Sequence, residues 1–175
     1  MALVVLGVGS NRQRQLHIKA GLAALHEYFA DAQHPLYCSR VFVSAAVGFA
    51  GSDFYNCVVA FESDHTLAAI NDFCKATERQ FGHSSEATKF SPRTLDIDIL
   101  LYDDWVCQQP INVPRDEILS NAFVLWPLAE LLPLQRHPVV GTSYAELWAN
   151  YELQQRIEPV EFDFVPLPYL RIVTP

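Results

Sequence analysis

YCSRVFVSAAVGFAGSDFYNCVVAFE, residues 37–62, is the stretch that decides the fold. Its first part, 37–44 (YCSRVFVS), alternates and is rich in strand formers, and its last part, 54–62 (FYNCVVAFE), reads as another strand. Between them lie only residues 45–53, small and broken by Gly48 and Gly51. A parallel pair would need a crossover of a dozen or more residues, usually a helix, and there is no room for one. The two strands are therefore joined by a loop, and a doubly wound parallel sheet is excluded.

Outward from that stretch the pattern continues on both sides. Residues 1–8 (MALVVLGV) form an apolar strand that stops at Gly7-Val8-Gly9-Ser10-Asn11. Over 12–29, Leu16, Ala20, Ala23 and Ala24 recur at helical spacing, with Ser10 or Asn11 as the N-cap. Over 66–81, Leu67, Ile70, Phe73 and Cys74 share one helical face, and Gly82 ends it. Residues 95–102 (LDIDILLY) make a fourth strand. The order strand, helix, strand, strand, helix, strand predicts an α+β fold of the ferredoxin-like, split β-α-β kind. That plan is an antiparallel sheet with both helices on one face.

Further along, 83–91 is polar and turn-rich and reads as a lid, and a short strand is expected near 111–113. Helical stretches at 123–132 and 143–151 follow. Residues 158–175 hold four of the eleven prolines and read as a tail beyond a domain of 1–157. In it Val160, Phe162 and Phe164 alternate with Glu161 and Asp163 between Pro159 and Pro166. This predicts an edge strand packed back on the domain or paired across a dimer.

Composition closes off other classes. At 175 residues, half of them apolar and 18% charged, the chain is neither disordered nor fibrous. No apolar run approaches the ~20 residues of a membrane helix, and the N-terminus lacks a basic region ahead of its apolar run. A net charge of −8 with no basic stretch argues against nucleic acid as a partner. Cys38, Cys57, Cys74 and Cys107 contain no C-x-x-C pair, so the reading is a reduced, cytoplasmic protein, monomeric or a weak homodimer.

The sharpest chemical feature is Pro92-Arg93-Thr94-Leu95-Asp96-Ile97-Asp98. On a strand, Leu95, Ile97, Ile99 and Leu101 point to the core, and Asp96 and Asp98 share the opposite face about 6.6 Å apart. Two carboxylates that close repel unless a cation sits between them, and oxygen-only ligation suits magnesium. Arg93 is a phosphate-type fork beside them. The competing reading is a solvated outer face of a half-exposed strand. Taken alone, Phe54 and Phe123 read as core residues and Asn56 as a strand-end amide. G-V-G at 7–9 fails the dinucleotide pattern because Arg12 stands at the third glycine position, and no P-loop motif is present.

PRTLDIDILLY, with GSN near the N-terminus, FYN before VVAFE, and AFVLWPLAEL downstream, resembles the 6-hydroxymethyl-7,8-dihydropterin pyrophosphokinase family over about residues 4–151. The resemblance implies ATP-dependent transfer of a pyrophosphoryl group to the pterin hydroxyl in folate biosynthesis, with ATP and the pterin as small-molecule partners. It implies that Asp96 and Asp98 hold two Mg2+ ions and that Arg93 clamps phosphates. Ser44, Val47, Phe54, Asn56 and Phe123 would form the pterin site, and His83, Lys89, Arg93, Ile99 and Arg115 the ATP site. Where the family usually has two loop arginines this chain has His83 and Ser85; Phe90 replaces a tryptophan, Arg115 a histidine and Asn121 an arginine. The family's threonine and prolines are missing from 44–48 (SAAVG). The thinned arginines motivate the alternative, a pterin- or nucleotide-binding paralogue with weak or no turnover.

Overall fold

β1 (Ala2–Ser10) runs through the middle of the sheet, because its residues are wanted on both faces. Val4, Leu6 and Val8 are buried on one side and Val5 on the other. A computed structural model of the chain describes residues 1–48, 50–82 and 94–175. β4 (Phe54–Ser63) lies antiparallel to β1 along its whole length, from Ala2 opposite Ser63 to Ser10 opposite Tyr55. β5 (Asp96–Tyr102) pairs antiparallel on the other side of β1, with Gly7 opposite Asp98 and Gly9 opposite Asp96.

The outer side of β4 differs from the single strand expected over 37–44. Two short strands occupy it, β2 (Leu36–Cys38) and β3 (Phe42–Ser44), separated at Ser39. The Ser39 amide donates to the Val58 carbonyl, and its hydroxyl accepts from the Val58 amide, both at 2.9 Å. The side chain thus stands in the ladder, and Arg40 next to it turns to Glu130, with Nε 2.9 Å from Oε1. At the far edge, β6 (Ile157–Pro159) pairs antiparallel with β3, while β7 (Leu170–Ile172) pairs parallel with β2. The sheet is therefore mixed, in the order β5-β1-β4-β2-β7.

α1 (Arg14–Phe29) and α2 (Leu67–Gln80) cover one face, burying Ile18, Leu22, Leu25, Ile70 and Cys74 with Val4, Leu6, Ile97 and Ile99. The opposite face has its own layer. α3 (Glu117–Ser120), α4 (Ala122–Leu131) and α5 (Tyr144–Ala149) gather there, with Leu125 and Leu128 in one cluster with Val5, Val58, Ala60 and Leu100. None of the described helices is long and apolar enough to cross a membrane.

Three local expectations are corrected. α1 starts from Gln13 in the left-handed region (φ 43°) with no side-chain cap; Ser10 Oγ donates instead to the Thr94 carbonyl, with the Arg12 carbonyl also nearby. The β1–β5 register shifts between Val5 and Leu6, a bulge that puts Leu100 and Leu101 together in the α4-side core. Leu101 therefore leaves the face of Leu95, Ile97 and Ile99. Near 111–113 there is one bridge, Cys107 with Val113, rather than a strand.

Candidate active site

Gly7 and Gly9 belong to the face of β1 that α4 covers lower down at Val5. Having no side chains, they leave a trough across the middle of the sheet. A cavity of about 250 Å³ opens over them. Asp96 and Asp98 wall it from β5, Phe54 and Asn56 from β4, and Ser44, Ala45 and Val47 from the end of β3. Phe123, in the first turn of α4, and Arg115 and Glu117 close the remaining side. Gly9 is required by its neighbour: a Cβ there would lie 2.9 Å from Asn56 Oδ1. At Gly7 the same atom would meet only the Leu100 side chain, at 3.6 Å.

Asn56 is buried and its orientation is set by one bond, Nδ2 donating to Ser44 Oγ at 2.8 Å. β3 and β4 pair here, so the last residue of β3 and the β4 amide are fixed to each other. A fixed carboxamide beside aromatic rings suits the polar edge of a flat heterocycle.

The two aspartates do not stand on an open face. They are half-buried, and Glu78 of α2 is almost fully buried beside them; the carboxyl oxygens of all three come within 4.8 Å of one another. Burial, then Glu78, pushes the Asp96 carboxyl above the usual carboxylate range. Burial, then the charge of Asp96, pushes Asp98 up to about 6, against the pull of Arg115 and Lys75.

Lys75 and Glu78, one turn apart on α2, reach the outer edge of β5. Glu78 Oε1 accepts the Ile97 amide at 3.0 Å, and Lys75 Nζ donates to the Ile97 carbonyl at 3.3 Å. The two side chains bond each other at 3.2 Å, and Lys75 Nζ lies 3.5 Å from Asp98 Oδ1. Burial pulls the lysine's pKa down, but Asp98, Glu78 and Asp96 together hold it above its ordinary value. The residue between the two aspartates is thus bonded on its open side as a neighbouring strand would bond it. Arg115 Nη2 lies 3.6 Å from the other oxygen of Asp98 and 3.2 Å from Glu117 Oε1.

Of the residues singled out in the sequence, Ser44, Val47, Phe54, Asn56, Asp96, Asp98, Arg115 and Phe123 line this one cavity. Ile99 does not. Its side chain is buried in the core on the α1–α2 side, so it forms no wall of the pocket. His83, Lys89 and Arg93, with the lid expected over 83–91, lie outside the described residues. Lys75, Glu78 and Glu117 were not anticipated. As i and i+3 on a helix, Lys75 and Glu78 look like an ordinary surface pair, and only the position of β5 makes them part of the site.

Fold and pocket define a class: an α+β protein whose sheet carries an amide- and aromatic-lined cavity opening onto paired carboxylates. A family model for 7,8-dihydro-6-hydroxymethylpterin-pyrophosphokinase (HPPK) matches residues 5–133. The 2-amino-4-hydroxy-6-hydroxymethyldihydropteridine pyrophosphokinase of Aquifex aeolicus is 32% identical over 142 residues, covering 79% of this chain and 86% of its own. A folate synthesis bifunctional protein of Chlamydia muridarum is 30% identical over 168 residues, covering 87% of this chain. This chain spans 36% of that longer relative. In fold it is similar to Plasmodium falciparum HPPK-DHPS, wild type with pteroate, at a TM-score of 0.68 and 13% identity, covering 86% of this chain and 42% of that one. The chain belongs to the HPPK family.

Proposed function

We propose that the protein transfers a pyrophosphoryl group from ATP to the hydroxyl of 6-hydroxymethyl-7,8-dihydropterin, giving AMP and the pterin diphosphate. The observation that carries this reading is the continuity of one cavity, with Asn56, Phe54 and Phe123 at one end and Asp96 and Asp98 at the other. Family membership supports it. So does the antiparallel run β5-β1-β4-β2, read as the split β-α-β plan.

Three crowded carboxylates, two of them, Asp96 and Asp98, with raised affinity for protons, form a hard-oxygen donor set, which fits Mg2+. Asp96 and Asp98 would hold the metal, which when bound neutralises phosphate charge and makes the pterin hydroxyl more acidic. Asn56 reads the heterocycle's donor and acceptor edge, and Phe54 and Phe123 offer faces for stacking. Arg115 supplies a guanidinium at the phosphate end. The chain's contribution is orientation and charge, as in other phosphoryl transfers. Cys38 and Cys57 are buried together as free thiols, which supports a reducing compartment such as the cytoplasm.

The test is AMP release in the presence of ATP, Mg2+ and the pterin alcohol. Asp96→Ala and Asp98→Ala should each abolish release while keeping the circular dichroism of the parent. Near-normal turnover in both variants, or no AMP from the parent, would overturn the reading.

A further inference from the structure

The pterin end of the cavity touches a piece of chain that no step of the chemistry uses. Residues 154–157 lie behind Ser44, Ala45, Val47 and Phe123, around a second cavity of about 320 Å³. They are bonded to both of the walls that face the heterocycle. On one side the Ala45 amide donates to the Arg156 carbonyl at 3.3 Å, Ile157 pairs with Ser44, and the Arg156 side chain forms an ion pair with Asp53. On the other side the Ala122 amide donates to Gln155 Oε1 at 2.8 Å.

The second bond has a specific job. The first amides of a helix have no partner within it. Asn121, at the N-cap of α4, makes no side-chain cap bond. Gln155 supplies the missing acceptor from outside the helix, one residue before Phe123. Its Nε2 lies 3.5 Å from both the Ser120 carbonyl and Asn121 Oδ1, so the amide is held from both ends.

We propose that residues 154–157 set the spacing between the Ser44–Ala45 wall and Phe123, with Gln155 as the positioning residue for pterin binding. The identity of the ligand rests on the function proposed above; the positioning rests on these bonds. A site held at its bound spacing needs less ordering when the ligand arrives, so loosening either tie weakens binding without removing any contact to the ligand. The family match ends at residue 133, so this tie belongs to a part of the chain outside it.

The experiment compares Gln155→Leu and Gln155→Glu in the full chain. The readouts are Kd for 6-hydroxymethylpterin, from its own fluorescence with a non-hydrolysable ATP analogue and Mg2+ present, and KM for ATP. Gln155→Leu should raise the pterin Kd about fivefold, the worth of one ordinary hydrogen bond. KM for ATP should not change. Gln155→Glu keeps an acceptor at the α4 N-terminus, where negative charge is favourable, but gives up the two long Nε2 bonds, and should bind pterin more tightly than Gln155→Leu. If Gln155→Leu binds pterin as the parent does, or if the Leu and Glu variants are equally weakened, the inference is overturned and the functional reading stands. A parent protein that binds no pterin overturns both. Should Gln155→Leu not fold, hydrogen exchange on the parent carries the test. Added pterin should slow exchange across 154–157 together with 45 and 122, and protection that leaves 154–157 unchanged would overturn the proposal.

Discussion

A single missing Cβ shapes the pocket at Gly9. Asn56 Oδ1 occupies the space that atom would fill. Gly9→Ala should therefore push the amide off its bond to Ser44 and raise the KM for pterin about tenfold, since small misplacements of positioning groups are costly. Gly7→Ala meets only ordinary contact with Leu100 and should change KM about twofold or less; equal effects from the two would contradict this geometry. Asp98 makes a second residue-scale prediction. Its carboxyl titrates near 6 when folded, above its ordinary 3.8, so the folded state holds the proton more tightly than the unfolded one. The charged form is thus the costly one, and this group's contribution to stability falls as pH rises from about 4 through 6. Asp98→Asn, neutral throughout, should be more stable than the parent at pH 7.5, by about 1–3 kcal/mol, and lose that advantage by pH 4. Thermal melts of both proteins across that range check it; a constant difference would show that the charge is not strained. That Asp96 and Asp98 share a face was legible from period-two alternation alone. That they are sunk beside Glu78 was not, because their depth depends on a helix some twenty residues earlier in the chain.

At the scale of elements, α2 serves β5 as a substitute strand. β5 is an edge, and Glu78 and Lys75 take up the amide and carbonyl of Ile97 on its open side. Glu78→Gln keeps an acceptor for the Ile97 amide and should leave the melting temperature nearly intact. Glu78→Ala removes it, leaves the Ile97 amide without its acceptor, and should cost about 1–3 kcal/mol. Its apparent Mg2+ affinity should fall with it, measurable by isothermal titration; an Ala variant as stable as the Gln variant would rule out the edge-holding role. The presence of strands and long helices was readable from the apolar period, but the face of α1 was not: it buries Ile18, Leu22 and Leu25, while Leu16 of the expected Leu16, Ala20, Ala23 and Ala24 stripe is exposed. Other misread elements are those where one polar side chain interrupts a ladder. Ser39 breaks 37–44 by replacing a backbone partner, and alternation gives no warning of that. α3 spans one turn, too short for any period to register. The bulge at Leu100 is equally invisible, since leucine suits either face.

For the whole molecule, the second helical layer was the larger surprise. The C-terminal helices were expected within the domain but assigned to no face of the sheet, and α4 buries the half of it that the pocket leaves uncovered. The reason is compositional: AFVLWPLAEL is apolar on nearly every side, and such a helix belongs between layers rather than on a surface. The last residues extend the same sheet through β6 and β7. Removing everything after Arg156 would strip β2 of its parallel partner and uncover Leu36 and Cys38. We expect the melting temperature to drop by more than about 5 °C and self-association to increase through the bared edge. Sedimentation and melting of the truncated chain check both, and an unchanged melting temperature and oligomeric state would refute it.

The strand β7, added from the far end of the chain beside one near its beginning, gives the protein an order in time as well as in space. Translation releases residues one after another, at about 5–20 per second. The carboxylates, Asn56 and Phe123 all leave the ribosome well before Gln155 and the strands that follow it. A nascent chain held at residue 150 would carry every group that faces the ligand and still lack the tie between them. Competence to bind then arrives only once residues 154–159 have been made and have joined the fold. Ribosome-stalled chains of increasing length, titrated with pterin, should show affinity appearing only after residues 154–159 have cleared the exit tunnel.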